Sequence, residues 1–344
     1  MTGDAGSDGS ETENHEAGAD NHESDDGLTY AATGVDIAES EAATAALIDA
    51  VGDAGEGDYA GLLDIGDRYL GLATDGVGTK LLVAEALSDY ATIGIDCIAM
   101  NVNDLVAAGI EPVAFVDYLA VEQPDEETAE QVGAGLAAGA DRAGVELVGG
   151  ETAVMPDVIR GLDLAGACVG LAPKDALFDG HAKPGDVLVG WPSSGIHSNG
   201  LTLARTAATR NHEYDDPFPG WEDRTVGEVL LEPTRIYTHL LGSMRDHGVR
   251  GAAHITGGGW TNLTRLGENR YDVTDPFPIQ PVFEFIQKEG AVSDEEMHRT
   301  FNMGTGFIAA LSAEHAEGLA AETDGRIIGR VADGTGVSIR GLEL

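Results

Sequence analysis

The chain has 344 residues, with 19 Lys and Arg against 60 Asp and Glu, a formal net charge of −41. A carboxylate surplus of that size makes nucleic-acid backbones and anionic membranes poor partners, and it repels itself unless abundant cations screen it, which points to a protein working in a very salty cytoplasm. Hydrophobic residues make up 42% of the chain, which excludes disorder throughout, and the length suits two domains that each bury a core.

Residues 1–27 hold many Asp and Glu, no Lys or Arg, and almost nothing apolar, which predicts a disordered acidic tail. His15 and His22 lie in it, so weak metal binding stays open beside plain solvation. Strands are predicted at 68–74, 113–121, 145–148 and 162–171, and helices at 93–108 and 126–143, each helix ended by a glycine (Gly109, Gly144). Two helices on one face of a mixed sheet make an α+β layer of split βαβ type. Residues 174–185 read as a linker, so the domains are placed at 28–173 and 174–344. The second is a sheet with packed helices: strands at 186–191, 252–255, 306–311, 326–331 and 337–340, helices near 198–208, 233–247, 281–288 and 313–321, and a surface excursion at 211–223. Cys97 and Cys168, far apart in apolar surroundings, read as buried thiols in a reducing compartment. No apolar run reaches the ~18 residues of a membrane span, and the acidic N-terminus is unlike a secretory signal, so a cytoplasmic location is expected.

The sharpest chemical feature is Asp75-Gly76-Val77-Gly78-Thr79-Lys80, directly after a predicted strand. Gly76 and Gly78 let backbone N–H groups approach an anion, Asp75 can hold a divalent cation, and Lys80 is one of four lysines in the chain. The spacing is not that of a Walker A loop, and an ordinary glycine turn is the alternative. On the next helix Asp96, Asn101, Asn103 and Asp104 fall on shared faces, fitting either ligand contacts or a solvated face; Asp75 and Asp104 together would suit Mg²⁺. Gly149-Gly150-Glu151-Thr152 reads as a turn after a strand, with Glu151 at its carboxyl end. Ser193-Ser194-Gly195-Ile196-His197-Ser198-Asn199-Gly200 lies between a strand and a helix, an anion-binding context with His197 as its titrating group. His254-Ile255-Thr256-Gly257-Gly258-Gly259 and Phe301-Asn302-Met303-Gly304 repeat the theme. Several such loops, without a Cys/His metal cluster or a G-x-S-x-G elbow, favour phosphate chemistry over nucleophilic hydrolysis.

In order, these segments, with Glu111-Pro-Val-Ala-Phe-Val-Asp-Tyr118 and Pro233-Thr-Arg-Ile-Tyr237, resemble the phosphoribosylformylglycinamidine cyclo-ligase family from about residue 30 to the C-terminus. The resemblance implies ATP as co-substrate, Mg²⁺, and closure of an imidazole ring in purine biosynthesis. It further implies a homodimer whose first-domain sheets meet in a barrel, with ATP near the interface. On the matching positions it implies ATP contacts from Asp75, Gly76, Gly78, Thr79, Lys80, Asp96, Asn101 and Glu151, and metal contacts from Asp75 and Asp104. Substrate contacts would come from Ser193, Ser194, His197, Ser198, Asn199, His254, Thr256, Gly257 and Gly258, and catalytic roles would fall to Asp75, Lys80 and His197. Selenophosphate synthetases and thiamine monophosphate kinases are similar in architecture, but the first should carry an N-terminal Cys or selenocysteine with Lys, and the second lacks the 193–200 and 233–237 segments.

Overall fold

A computed structural model describes residues 27–51, 60–178 and 180–344; the acidic tail, with His15 and His22, lies outside the described residues except for Gly27. The first half contains α1 (Ile37–Val51), β1 (Gly61–Asp64), β2 (Arg68–Gly76), α2 (Leu81–Leu87), α3 (Ile93–Ala107), β3 (Glu111–Val121), α4 (Glu126–Ala143), β4 (Glu146–Val154) and β5 (Leu162–Pro173). The ends of α4 are set locally. The Asp125 carboxylate accepts a hydrogen bond from the Thr128 N–H at 2.8 Å, Glu126 and Glu127 occupy the first turn, and Gly144 leaves the helix at φ +73°.

The strands form a sheet in the order β1-β2-β5-β3-β4. Strand β5 runs antiparallel between β2 and β3, so β2, α3 and β3 make the expected split βαβ unit, while β3, α4 and β4 form an adjacent parallel crossover. Helices α3 and α4 cover one face, and their backbones touch: a Cβ on Gly94 would lie 2.2 Å from the Leu136 nitrogen. Leu164, Cys168 and Ala172 of β5 are buried on that face. The opposite face is open, and Leu72 (49% exposed), Val116 (40%) and Tyr118 (43%) stand on it beside Val169, Ala167 and Ala165. Cys97 on α3 and Cys168 on β5 are both free and buried, and burial pushes the Cys168 thiol up to about 12.

The second half contains β6 (Val187–Pro192), α5 (Leu201–Ala208), β7 (Pro217–Phe218), β8 (Trp221–Thr225), α6 (Val226–Leu230), α7 (Leu241–Asp246), β9 (Gly251–His254), β10 (Arg270–Val273), α8 (Pro281–Gly290), α9 (Asp294–Thr300), β11 (Thr305–Leu311), α10 (Ala313–Glu322), β12 (Arg326–Ala332), β13 (Gly336–Ile339) and β14 (Leu342–Glu343). Its sheet runs β14-β13-β10-β12-β6-β11-β9, and β11 is buried along its whole length, as a near-continuous apolar run with cover on both faces should be.

One expectation is corrected. The helix expected over 233–247 is a 3-10 turn at Thr238–Leu240 followed by α7, because the backbone of 231–237 bonds sideways to the first half instead of to itself. The 211–223 excursion is anchored: Phe218 is buried, with its ring centroid 5.0 Å from that of Phe285 and 5.4 Å from that of Trp221. The start of the described chain packs on the second half, since the Leu28 N–H donates to the Gly290 carbonyl at 3.0 Å and the Tyr30 N–H to the Glu296 carboxylate at 2.6 Å.

Candidate active site

The polar face of α3 meets the 231–237 segment in a buried seam between the two halves. Lys80 and Asp96 are both 0% exposed and form an ion pair at 2.8 Å. Lys80 also donates to the Glu232 carbonyl at 2.6 Å, and Asp96 accepts from the Thr234 N–H (2.8 Å) and hydroxyl (2.5 Å). Asn103 continues the pattern, donating to the Arg235 carbonyl at 2.9 Å and accepting from the Tyr237 N–H at 2.8 Å. The Thr92 hydroxyl reaches the Leu231 carbonyl at 3.2 Å, and the hydroxyls of Thr79 and Thr202 meet at 2.9 Å. Burial of these polar groups is tolerable because each of the side chains named finds a partner, whereas Asn101 Oδ1 on the same helix has none among the described residues; an unpartnered group costs on the order of 1 to 3 kcal/mol. The α3 polar face is therefore not a solvated face, and Lys80 and Asp96 face each other, not an open anion cradle.

Asp75 lies one residue before the end of β2 and stands near Asp104. Burial first and the Asp104 charge second push the Asp75 carboxyl up to about 6, although its own acceptor bond from the Gly76 N–H (2.7 Å) works the other way. Asn101 pins the Asp75 carbonyl at 3.2 Å. Gly78, at φ +68°, turns the chain from the strand toward α2. Across the seam the buried His254 places Nδ1 3.1 Å from the Asp104 carboxylate and Nε2 3.3 Å from the Asn103 amide, which a proton on Nδ1 satisfies at both ends.

His197 is fully buried with φ +66°, a left-handed conformation that a non-glycine residue keeps only where its surroundings impose it. Those surroundings include Gly306, where a Cβ would stand 2.1 Å from the Tyr237 hydroxyl and 2.8 Å from the His197 ring. The Ser194 N–H donates to His197 Nε2 at 3.2 Å, leaving the proton on Nδ1, which has no hydrogen-bond partner among the described residues. Burial above all, with the Lys80 and Arg235 charges adding to it, holds His197 well below the usual imidazole range. It is neutral at pH 7, which corrects the expectation of a titrating group there. The loop is tied down by the Ser194 hydroxyl on the Pro233 carbonyl (2.6 Å), the Ser198 and Thr234 hydroxyls (3.4 Å), and Gln280, which donates to the Ser193 carbonyl (2.7 Å). Asn199 contributes an amide 3.8 Å from the Met100 sulfur.

After β9, Asn262 fastens the glycine loop by donating to the Gly257 and Gly259 carbonyls at 3.0 and 2.8 Å. Gly257 and Gly258 line a cavity of about 390 Å³ with Tyr30, Thr261, Arg265 and Arg299. Thr256, at the start of that loop, is partly buried.

Glu151 is the site candidate that stands apart. Gly149 and Gly150 form no turn; both lie inside β4, and Glu151 is exposed in mid-strand. Asp75, Gly166, Asp117 and Gly150 form one row across the sheet, so Glu151, one residue on, shares the open face with Tyr118. Asp117, its carboxyl raised by burial, and Arg235 are chemical groups that the reading of motifs passed over, although both stand inside segments quoted for their order.

Comparison with known proteins places this geometry in a family. The AIR synthase related protein N-terminal domain family matches residues 57–172, and its C-terminal domain counterpart matches 183–341. The phosphoribosylformylglycinamidine cyclo-ligase of Methanosarcina mazei is 48% identical over 326 residues, covering 92% of this chain and 98% of the relative. That of Pyrococcus horikoshii is 49% identical over 304 residues, covering 84% and 90%. Among solved structures, the thiamine monophosphate kinase of Aquifex aeolicus superposes with a TM-score of 0.64 at 17% identity, covering 89% of this chain and 98% of that one. The hydrogenase maturation protein HypE in complex with ATP gives 0.60 at 18%, covering 86% and 88%. At those identities the structures speak for the shared fold alone. With both domain families matched in order and nearly the whole length of curated relatives covered at close to half identity, the chain belongs to the phosphoribosylformylglycinamidine cyclo-ligase family.

Proposed function

We infer that the chain closes the imidazole ring of aminoimidazole ribonucleotide from formylglycinamidine ribonucleotide, consuming ATP and releasing ADP and phosphate. The formyl amide oxygen of the substrate is a poor leaving group. Transfer of the γ-phosphoryl group to it gives an imino phosphate, and attack by the amidine nitrogen on that carbon expels phosphate and closes the ring. The requirement is alignment and charge neutralisation more than covalent participation by the protein. The observation that carries this reading is the buried seam, which sets the 75–80 loop of one half against His197 and His254 of the other.

In this reading the Gly76 and Gly78 backbone and the Thr79 hydroxyl meet the phosphates of ATP, while Lys80, Asp96 and Asn101 hold that loop in place from behind. Asp75 and Asp104 fit Mg²⁺: they are hard oxygen donors, and their mutual repulsion, part of what raises Asp75, is what a divalent cation would relieve. When bound it would neutralise phosphate oxygens. Among the described residues no group of three or more His, Cys, Asp or Glu is arranged for a metal, so phosphate and water would complete its shell. His197 serves as a neutral Nδ1–H donor, with Ser193, Ser194, Ser198 and Asn199 around it, and His254 holds Asp104. Thr256, Gly257 and Gly258 take the substrate at the cavity beside Arg265 and Arg299. Two copies pair through the open face of the first sheet, which puts Glu151 at the interface. The acidic surface suits a salty cytoplasm, and no helix among the described residues is long and apolar enough to cross a membrane.

The test is to incubate the chain with ATP, Mg²⁺ and formylglycinamidine ribonucleotide in multimolar KCl and follow ADP release and an aromatic amine by diazo coupling. Stoichiometric appearance of both is expected. ADP release indifferent to the ribonucleotide, or absence of the amine, refutes the reading.

A further inference from the structure

The 233–237 segment is held more firmly than an irregular stretch needs to be. Thr234 N–H bonds Asp96, the Arg235 carbonyl bonds Asn103, the Tyr237 N–H bonds Asn103, and the Pro233 carbonyl bonds Ser194. Every one of these anchors is on the main chain. The one long charged side chain of the segment, Arg235, is left exposed. Its guanidinium lies 6.0 Å from the Tyr237 ring centroid and 3.4 Å from the Pro192 carbonyl, one residue before the 193–200 loop.

Arg235 has no counter-ion among the described residues, and its place beside the 193–200 loop sets it apart from Arg205 and Arg210, whose partners are the Tyr214 hydroxyl and the Gly290 carbonyl. In a chain with 60 Asp and Glu, Arg224, Arg250 and Arg270 each pair with a carboxylate, but no carboxylate lies within 4.0 Å of Arg235 among the described residues. Its charge instead bears on His197, helping to keep that ring neutral. A planar, permanently charged fork laid over an aromatic ring, with its backbone fixed on both sides, is preorganised for bidentate binding of phosphate oxygens.

We propose that Arg235 binds a phosphate group of the reacting nucleotides beside the 193–200 loop, the seam with α3 serving to aim it. The assignment rests on the cyclo-ligase reading. Two groups share the required chemistry, the phosphoryl group in transfer and the 5′-phosphate of the ribonucleotide.

The experiment compares wild type, R235A and R235K, all full-length, in multimolar KCl, measuring kcat, KM for each substrate and melting temperature, with R142A as an exposed-arginine control. R235A loses about a hundredfold in kcat/KM, the scale of removing one transition-state donor, with its melting temperature unchanged. R235K recovers little, because an ammonium cannot fork, and added guanidinium chloride partly restores R235A. A fall in kcat or a rise in KM for ATP assigns the transferred phosphoryl; a rise confined to KM for the ribonucleotide assigns the 5′-phosphate. R235A with wild-type kinetics, a loss that tracks melting, or an equal loss in R142A overturns the proposal. A wild type that forms no aromatic amine overturns the cyclo-ligase reading and this inference with it, whereas active wild type with an undamaged R235A overturns this inference alone.

Discussion

The seam along α3 and the open face of the first sheet invert the usual arrangement in opposite senses. At the seam, Lys80, Asp96 and Asn103 are buried although polar; on the open face, Leu72, Val116 and Tyr118 are exposed although apolar. Buried polar groups are tolerated where a neighbouring segment presents main-chain donors and acceptors with no helix or strand to use them. Exposed apolar residues in a contiguous patch mark a surface completed by something else, which the proposed function takes to be a second copy. The first region is thus an interface internal to the chain, and the second is, on the proposed reading, one between chains.

Four substitutions bear on that contrast, in falling order of effect. Asp96→Ala leaves the buried Lys80 ammonium without a counter-ion, holding only the Glu232 carbonyl, and two Thr234 donors without an acceptor, and should destabilise the chain by about 3 to 5 kcal/mol in denaturant unfolding. A loss under ~1 kcal/mol would mean that the seam's charges are dispensable. Val116→Asp should leave thermal unfolding of the monomer intact but raise the dimer dissociation constant at least tenfold, roughly the effect of a buried interfacial charge, as read by sedimentation. If wild type sediments as a monomer in multimolar KCl, the open face has another cover.

Asp75→Asn should abolish cyclisation without weakening the fold. In metal-free buffer the folded chain keeps a proton on Asp75 between pH 3.8 and about 6 that the unfolded chain has released, so stability falls as pH rises through that window. The amide removes this slope and should add ~1 kcal/mol at pH 7. A mutant that retains the slope would show that another group titrates there. Smallest is Thr79→Val, which removes one hydroxyl pair across the seam and should cost ~1 kcal/mol or less. Loss of the fold would show that this edge of the seam closes first.

The sequence made some elements readable because their ends are encoded nearby. Helix α4 was legible from Asp125 to Gly144, and β5 from its alternation. Helix α2 escaped notice because its seven residues follow a 3-10 turn without a capping side chain, and α1 because its apolar stripe is weak. The glycine pair misled at Gly149 and Gly150, where the absence of a side chain on Gly150 leaves room for the Asp117 carboxylate inside a strand, not a turn. At the site, Asp75 and Asp104 could be paired from spacing and motif. That Lys80 would meet Asp96, or that Arg235 would be held by Asn103, could not: the first contact joins residues 16 positions apart on separate elements of one half, and the second joins residues 132 positions apart and depends on how the two halves dock.

The partners of Asp96 and Asn103 in the second half are mostly peptide groups: the Thr234 N–H, the Arg235 carbonyl and the Tyr237 N–H. A peptide group is present whatever side chain it carries, proline's missing N–H aside. Tolerance to substitution should therefore be lopsided. Ile236 can be exchanged without losing a single seam bond, whereas Asn103 donates two N–H bonds, to the Arg235 carbonyl and His254 Nε2, while accepting a third from the Tyr237 N–H, which only a longer amide set back by one methylene could reproduce. A saturation scan of both sides would show a permissive strip facing an intolerant one, although the two are in contact throughout.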